Sequence, residues 1–208
     1  MAQVSTQIEL QQALSAMDPL IEITADFSIS SQITVSYSVI IMSIDGPPVR
    51  TLTRQSGYAG RLFSVSVSGN LTLRDLIVDG NKANVPAAQP MLWTTGRLTL
   101  DNAVVQNGAS SESGGGISLD FSNAAVCIMQ NRSIVRDCST QSYGGGIFMN
   151  SDSTLSMDDS SLINNTSYSR GGGVSLTQRT QPTASTSELL GHRATNPTIG
   201  NRRRILIS

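Results

Sequence analysis

This chain of 208 residues contains one lysine, Lys82, one histidine, two cysteines and one tryptophan, and aromatic residues make up only 4% of it. Each scarcity excludes something. Fourteen basic against fifteen acidic residues leave a net charge of −1, so no basic surplus exists for wrapping a nucleic acid, and none is expected as a partner. Cys127 and Cys138 alone build no disulfide framework, and neither has the nearby histidine or second cysteine pair that a zinc site needs. No apolar run reaches the ~18 residues of a membrane span. Met1 to Ser5 lacks the basic and apolar regions of a secretory signal, so neither span nor export tag is expected within this chain. Charged residues are 14% of the total, well below the roughly 25% of an ordinary globular chain. Polarity therefore comes from serine and threonine. A hydrophobic share of 38% is too high for a disordered chain of such low net charge. With few large rings available, the core must be assembled from many small aliphatic contributions.

What the sequence does have is repetition. Three glycine triplets, Gly114-Gly115-Gly116, Gly144-Gly145-Gly146 and Gly171-Gly172-Gly173, start at 114, 144 and 171 and are therefore 30 and 27 residues apart. Each precedes a short alternating stretch: Ile117-Ser118-Leu119, Ile147-Phe148-Met149 and Val174-Ser175-Leu176. This is strand patterning of period two. A second column keeps step with the first: Leu71-Thr-Leu73, Leu98-Thr-Leu100, Val126-Cys-Ile128 and Leu155-Ser-Met157. A third closes on Asn, Asp or Gly: Ile77 to Asn81, Val104 to Asn107, Ile134 to Asp137 and Leu162 to Asn165.

Three strands in a unit of about 27 residues, with turn residues at every corner, predict one coil of a parallel β-helix. A sandwich would not repeat its glycines in register. The triplets are expected at sharp turns that need φ > 0. Leu71, Leu98, Val126 and Leu155 are expected to stack as one inward aliphatic ladder, each buried member contributing roughly 1.5–3 kcal/mol. Cys127 then points outward as a free thiol. An inward asparagine ladder is expected from Asn107, Asn131 and Asn165, because a buried amide needs partners and a stack supplies them.

Residues 1–69 show shorter, less regular strands at Ile21 to Ile23, Phe27 to Ile29, Ile33 to Val35, Val39 to Ile44 and Leu62 to Val67. Before them, Thr6-Gln-Ile-Glu9 has the form of a capping box, and Leu10, Ala13, Leu14 and Met17 recur at helical spacing. The organisation expected is a capping helix over 1–18, the parallel β-helix over 19–176, and an irregular last coil or tail over 177–208. No capping pattern is visible at the C-terminal side, so a continuation of the chain or a partner is expected to cover it.

Residues 5–176, with Gln7 to Leu14, then Ser68-Gly-Asn-Leu-Thr-Leu-Arg-Asp-Leu-Ile-Val-Asp-Gly-Asn81, then the Gly-Gly-Gly-aliphatic repeats, resemble the pectin-lyase-like right-handed parallel β-helix of bacterial surface proteins. They are also similar to the polymorphic outer membrane protein repeat, in which a Gly-Gly-aliphatic turn pairs with Phe-x-x-Asn. Here Val104, Ile134 and Leu162 stand where that phenylalanine is usual. The resemblance implies an extracellular or cell-surface adhesin or scaffold segment, contacting glycans or host surfaces without enzymatic activity.

β-Helices of this kind also carry polysaccharide lyases and glycoside hydrolases, so the carboxylates bear inspection. Asp75, Asp79 and Asp101 form the alternative catalytic group, with Asp75 and Asp101 about one coil apart; such carboxylates suit acid/base chemistry or a Ca²⁺ ion, although no cofactor is otherwise expected. Against them stands the reading as solvated turn residues. Asp152, Asp158 and Asp159 with His192 have the wrong spacing to converge on one face. An ice-binding face needs regular outward threonines over many coils, and Thr72 and Thr99 give way to other residues. Trp93 is the remaining binding candidate: exposed, it would stack on a sugar ring, and buried, it would plug a loop against the solenoid.

Overall fold

The computed structural model describes residues 1–44, 49–120, 124–177, 181–185, 188–191 and 193–194. They form a parallel β-helix built of three long ladders and a fourth, shorter one. Sheet A has eight strands, from Ala2–Val4 and Leu20–Ile23 through Ser38–Ser43, Asn70–Arg74, Arg97–Asp101, Val126–Gln130 and Thr154–Asp158 to Gln181–Ser185. Sheet B has seven, among them Phe27–Ile29, Arg50–Arg54, Leu76–Asp79, Val104–Gln106, Ile134–Arg136, Ser161–Ile163 and Glu188–Leu190. Sheet C has six: Ile33–Val35, Phe63–Val65, Leu92–Thr94, Ile117–Leu119, Ile147–Met149 and Val174–Leu176. These are the three expected columns. A fourth ladder, sheet D, is made of two-residue strands at Ala109–Ser110, Ser139–Thr140, Thr166–Ser167 and Arg193–Ala194. Each strand pairs in parallel with its equivalents one coil away, as where Leu98 faces Leu71 and Ile147 faces Ile117.

The inward ladder differs from expectation by one residue. Leu98 pairs with Cys127, and Cys127 with Leu155, so the stack is Val39, Leu71, Leu98, Cys127, Leu155 at its described inward positions. Val126 instead pairs with Arg97 and Thr154 on the outside. The four apolar residues Val126-Cys-Ile-Met129 have no alternation to mark which face is inner, and a slip of one exchanges the faces of the whole strand. Cys127 and Met129 are fully buried, with Met129 between Leu100 and Met157. The interior of sheet B is the stack Leu52, Val78, Val105, Val135, Leu162.

The helix α1, Gln7–Ser15, begins at Thr6 with a complete capping box: the Glu9 N–H donates to Thr6 Oγ1 at 3.3 Å, and the Thr6 N–H donates to Glu9 Oε2 at 3.1 Å. It packs on the first strands of sheets A and B, and Leu10, Ala13 and Leu14 join the core. The apolar end of the first coil is covered there. Met17 does not continue the helical face. It takes φ 58° in the turn that ends the helix and is exposed.

The glycine triplets stack on one another. The Gly115 N–H donates to the Gly144 carbonyl at 3.0 Å and the Gly145 N–H to that of Gly171 at 3.0 Å. Gly114, Gly144 and Gly171 take positive φ, from 66° to 87°. The middle glycines are required by proximity instead, since a Cβ on Gly115 or Gly145 would collide with carbonyl oxygens of the next coil. Beyond the third triplet the described strands Gln181–Ser185, Glu188–Leu190 and Arg193–Ala194 pair in parallel with the coil before.

Candidate functional site

The carboxylates named from the sequence lie at or beside the corners of sheet B. Asp75 takes φ 51° in the turn from sheet A to sheet B and accepts from Asn102 Nδ2 at 2.6 Å. Asp79, on the outer side of sheet B, accepts from Gln106 Nε2 and Asn107 Nδ2, each at 2.8 Å. Asp101 accepts from Arg74 Nε at 2.8 Å and from Asn131 Nδ2 at 2.6 Å. Burial would raise its pKa, but the bonds from Asn131, Arg74 and Gln130 and the charge of Arg74 together hold its carboxyl below the usual carboxylate range. All three carboxylates bond to side chains one coil further on or, for Arg74, one coil back. They knit coils together. Among the described residues no group of three or more His, Cys, Asp and Glu side chains is placed to hold a metal ion.

The asparagines likewise divide by corner. Asn131 serves the corner between sheets A and B, through Asp101. Asn107 takes φ 55° at the far end of sheet B, equivalent to Asp137 and Asn164. Asn165 alone of the three is fully buried, donating from Nδ2 to the Val135 carbonyl at 2.8 Å and accepting the Cys138 N–H at 3.0 Å. Cys127 and Cys138 are both free and buried. Burial pushes each thiol up to about 12, which removes thiolate chemistry at neutral pH. His192 lies outside the described residues.

A different site forms on the outer face of sheet C. Middle residues of its strands share one outward column, in the order Thr34, Ser64, Trp93, Ser118, Phe148, Ser175. In this column, hydroxyl side chains alternate with aromatic rings from Ser64 onward. Its members Trp93, Ser118, Phe148 and Ser175 floor a groove of about 640 Å³, of the size that accepts a small ligand or part of a polymer. Along one wall stand Glu112, Ser113, Tyr143 and Arg170, on the residues that precede the glycine triplets; along the other stand Asp120, Asn150 and Thr177, which follow the strands. The walls keep the coil register: Tyr143 and Arg170 form a parallel bridge, and Thr177 Oγ1 donates to Asn150 Oδ1 at 3.1 Å.

Trp93 sits on a strand of the sheet and is half-buried. The Arg61 guanidinium stacks over its ring, 4.2 Å from the centroid, and lies 4.0 Å from Glu112 Oε2. Glu112 also accepts from Gln89 Nε2 at 3.0 Å. A cation against the ring and its partner carboxylate fix the indole while it still lines the groove. Among the described residues that line the groove, the two basic ones, Arg61 and Arg170, balance the two acidic ones, Glu112 and Asp120. The other polar side chains among these described residues are hydroxyls and an amide.

Sequence reasoning singled out Trp93 and passed over Phe148, Tyr143 and the wall residues. The signal was available in part: Phe148 is the middle residue of its tripeptide, as Ser118 and Ser175 are of theirs. Trp93 has no glycine triplet before it, so its equivalence to Phe148 could not be read from the repeat. The class that fold and groove define is a parallel β-helix with an aromatic-floored groove along one sheet. Searches for similar proteins find no matching family model, no matching curated protein and no matching solved structure.

Proposed function

We propose that this chain is a non-catalytic glycan-binding β-helix, acting as an extracellular or cell-surface adhesin or scaffold segment, with the groove of sheet C as its contact surface for glycans of a host or partner surface. The observation that carries this reading is the groove floor in which Trp93 and Phe148 alternate with Ser118 and Ser175. Pyranose rings present apolar C–H faces and a rim of hydroxyls. A floor carrying two aromatic rings, with hydroxyl and amide groups along its walls, matches both, and balanced charge favours a neutral sugar over an acidic one. The resemblance to pectin-lyase-like bacterial surface segments points the same way.

The test is glycan-array binding of the wild-type chain and Trp93→Ala. Binding to neutral glycans that falls at least tenfold in the variant supports the proposal. An array without signal, or with signal unchanged by the substitution, contradicts it.

One observation favours a second reading. Asp120 and Glu112 place two carboxylates on the same groove, and a pair of carboxylates is what a glycoside hydrolase needs for its acid and base. Release of reducing ends from a bound polysaccharide, abolished by Asp120→Asn, would establish that reading in place of the first.

A further inference from the structure

The register of sheet C says more about the ligand than the chemistry of its side chains does. Trp93 pairs with Ser118, and Ser118 with Phe148, so the two aromatic platforms are separated by two strand spacings along the solenoid axis. Neighbouring strands lie about 4.8 Å apart, which puts the platforms about 10 Å apart. Ser118 between them is small and lines the groove, largely covered by its neighbours at 8% exposure. The floor thus offers an aromatic ring at every second step, with Arg61 held against one face of Trp93, and a hydroxyl at the step between.

A linear polymer matches this floor if it is straight, if each unit advances by about one strand spacing, and if it presents the same face at every second unit. An extended chain of β-1,4-linked pyranoses has these properties: successive rings are turned over by half a rotation, and each ring is about as long as the strand spacing. Other extended polymers fail on period or charge. A β-strand peptide repeats its side-chain face every two residues, about 6.7 Å, which falls out of step with the platforms. A single-stranded nucleic acid would need a basic groove, and this one pairs two basic with two acidic residues. An α-1,4-linked glycan curls away from a straight floor within a few rings.

We infer that the groove is specific for an extended, neutral β-1,4-linked glycan lying parallel to the solenoid axis, with rings one and three of a bound trisaccharide stacked on Trp93 and Phe148 and the ring between them over Ser118. This rests on the glycan-binding reading and adds linkage, direction and ring-by-ring placement to it.

Titration calorimetry with defined oligosaccharides tests it. The probes are the cello-, manno- and chito-oligosaccharide series from two to six rings, with maltohexaose as the α-1,4-linked comparison. In at least one β-1,4 series, affinity is expected to rise tenfold or more between two and three rings, where the second platform comes within reach, and maltohexaose is expected to bind at least tenfold more weakly than the hexamer of that series. Phe148→Ala should remove the step between two and three rings while leaving disaccharide affinity within twofold, and Phe148→Tyr should restore it. Circular dichroism of each variant controls for folding, and Phe148 is an outward side chain whose loss leaves the core stacks intact. Binding of maltohexaose as tight as that of the β-1,4 hexamers, or an affinity that climbs evenly with length in Phe148→Ala, would overturn this inference while leaving glycan binding standing. Absence of binding to every glycan, here and on the array, would overturn both.

Discussion

Replacing Cys127 by aspartate asks which residue of the Val126-Cys127 pair faces the core. Cys127 is fully buried, stacked between Leu98 and Leu155, so a carboxylate there would have neither water nor a partner. Such a group stays protonated rather than ionise in an apolar stack. Its pKa in an unfolded chain is about 3.9, and holding it neutral at pH 7 against that value costs about 4 kcal/mol, at about 1.36 kcal/mol for each pH unit. Because the folded-state pKa is raised, the penalty is full at neutral pH and fades as pH falls toward the unfolded pKa. Only the smaller cost of exchanging a thiol for a carboxylic acid remains there. Val126→Asp places the same charge outside, beside Arg97 and Thr154, and should change stability by no more than about 0.5 kcal/mol. Urea denaturation of both variants and the parent at pH 7 and pH 4 measures the difference. A larger loss in Val126→Asp, or a Cys127→Asp penalty that does not shrink at pH 4, would refute the register of sheet A at this strand.

The native thiols supply another pH-dependent outcome. With Cys127 and Cys138 shifted by burial from 9.0 to about 12, the folded chain holds two protons that the unfolded chain releases. Stability should therefore be intact below pH 9 and fall as pH rises toward about 12, and neither thiol should react with Ellman's reagent at pH 8 until the chain is denatured; stoichiometric labelling of the folded protein would contradict this. Gly145→Val sets side-chain atoms against the Thr166 and Gly172 carbonyl oxygens, and should destabilise by at least about 3 kcal/mol in a thermal melt, overpacking alone costing about 1–3 kcal/mol; a loss under 1 kcal/mol would mean that the triplets are not stacked. Asp101→Asn removes a carboxylate whose pKa is held down by Asn131 and Arg74. The partly exposed Arg74 limits the loss at pH 7 to about 1 kcal/mol. The parent should lose that increment as pH falls through the depressed pKa while the variant does not, so an acid-unfolding curve of unchanged slope in the variant would count against the Asp101 ladder.

The columns of sheets A, B and C were legible because a solenoid repeats its punctuation: glycine triplets, aliphatic alternation and Asn or Asp closures recur with the coil. Legibility failed wherever a residue's face depended on register alone. Val126-Cys127-Ile128-Met129 is apolar at every position, so nothing local distinguishes inner from outer. Arg54 shows the converse. A charged residue is read as exposed, yet its side chain is fully buried at the inward position beside Ile29. Its Nη2 donates to the Gln89 carbonyl at 3.0 Å, and burial lowers its pKa to about 10. Sheet D escaped notice because two-residue strands such as Ala109–Ser110 carry no period. Of the groove, only Trp93 stood out, by rarity. Phe148, Tyr143 and Asp120 acquire meaning when coils separated by some 25–30 residues are laid side by side, and that alignment is a property of the fold.

The most direct measurement of the stacked parallel winding is a pair of engineered disulfides on the outer face of sheet A. Thr72 and Thr99 are register partners on adjacent coils, at a spacing within the range a disulfide bridges, whereas Thr72 and Arg97 are diagonal neighbours about 7–8 Å apart and beyond it. The double variant Thr72→Cys with Thr99→Cys should oxidise quantitatively under mild conditions, and Thr72→Cys with Arg97→Cys should stay reduced. Failure of the first to close, or equal closure of both, would contradict the register that aligns the coils.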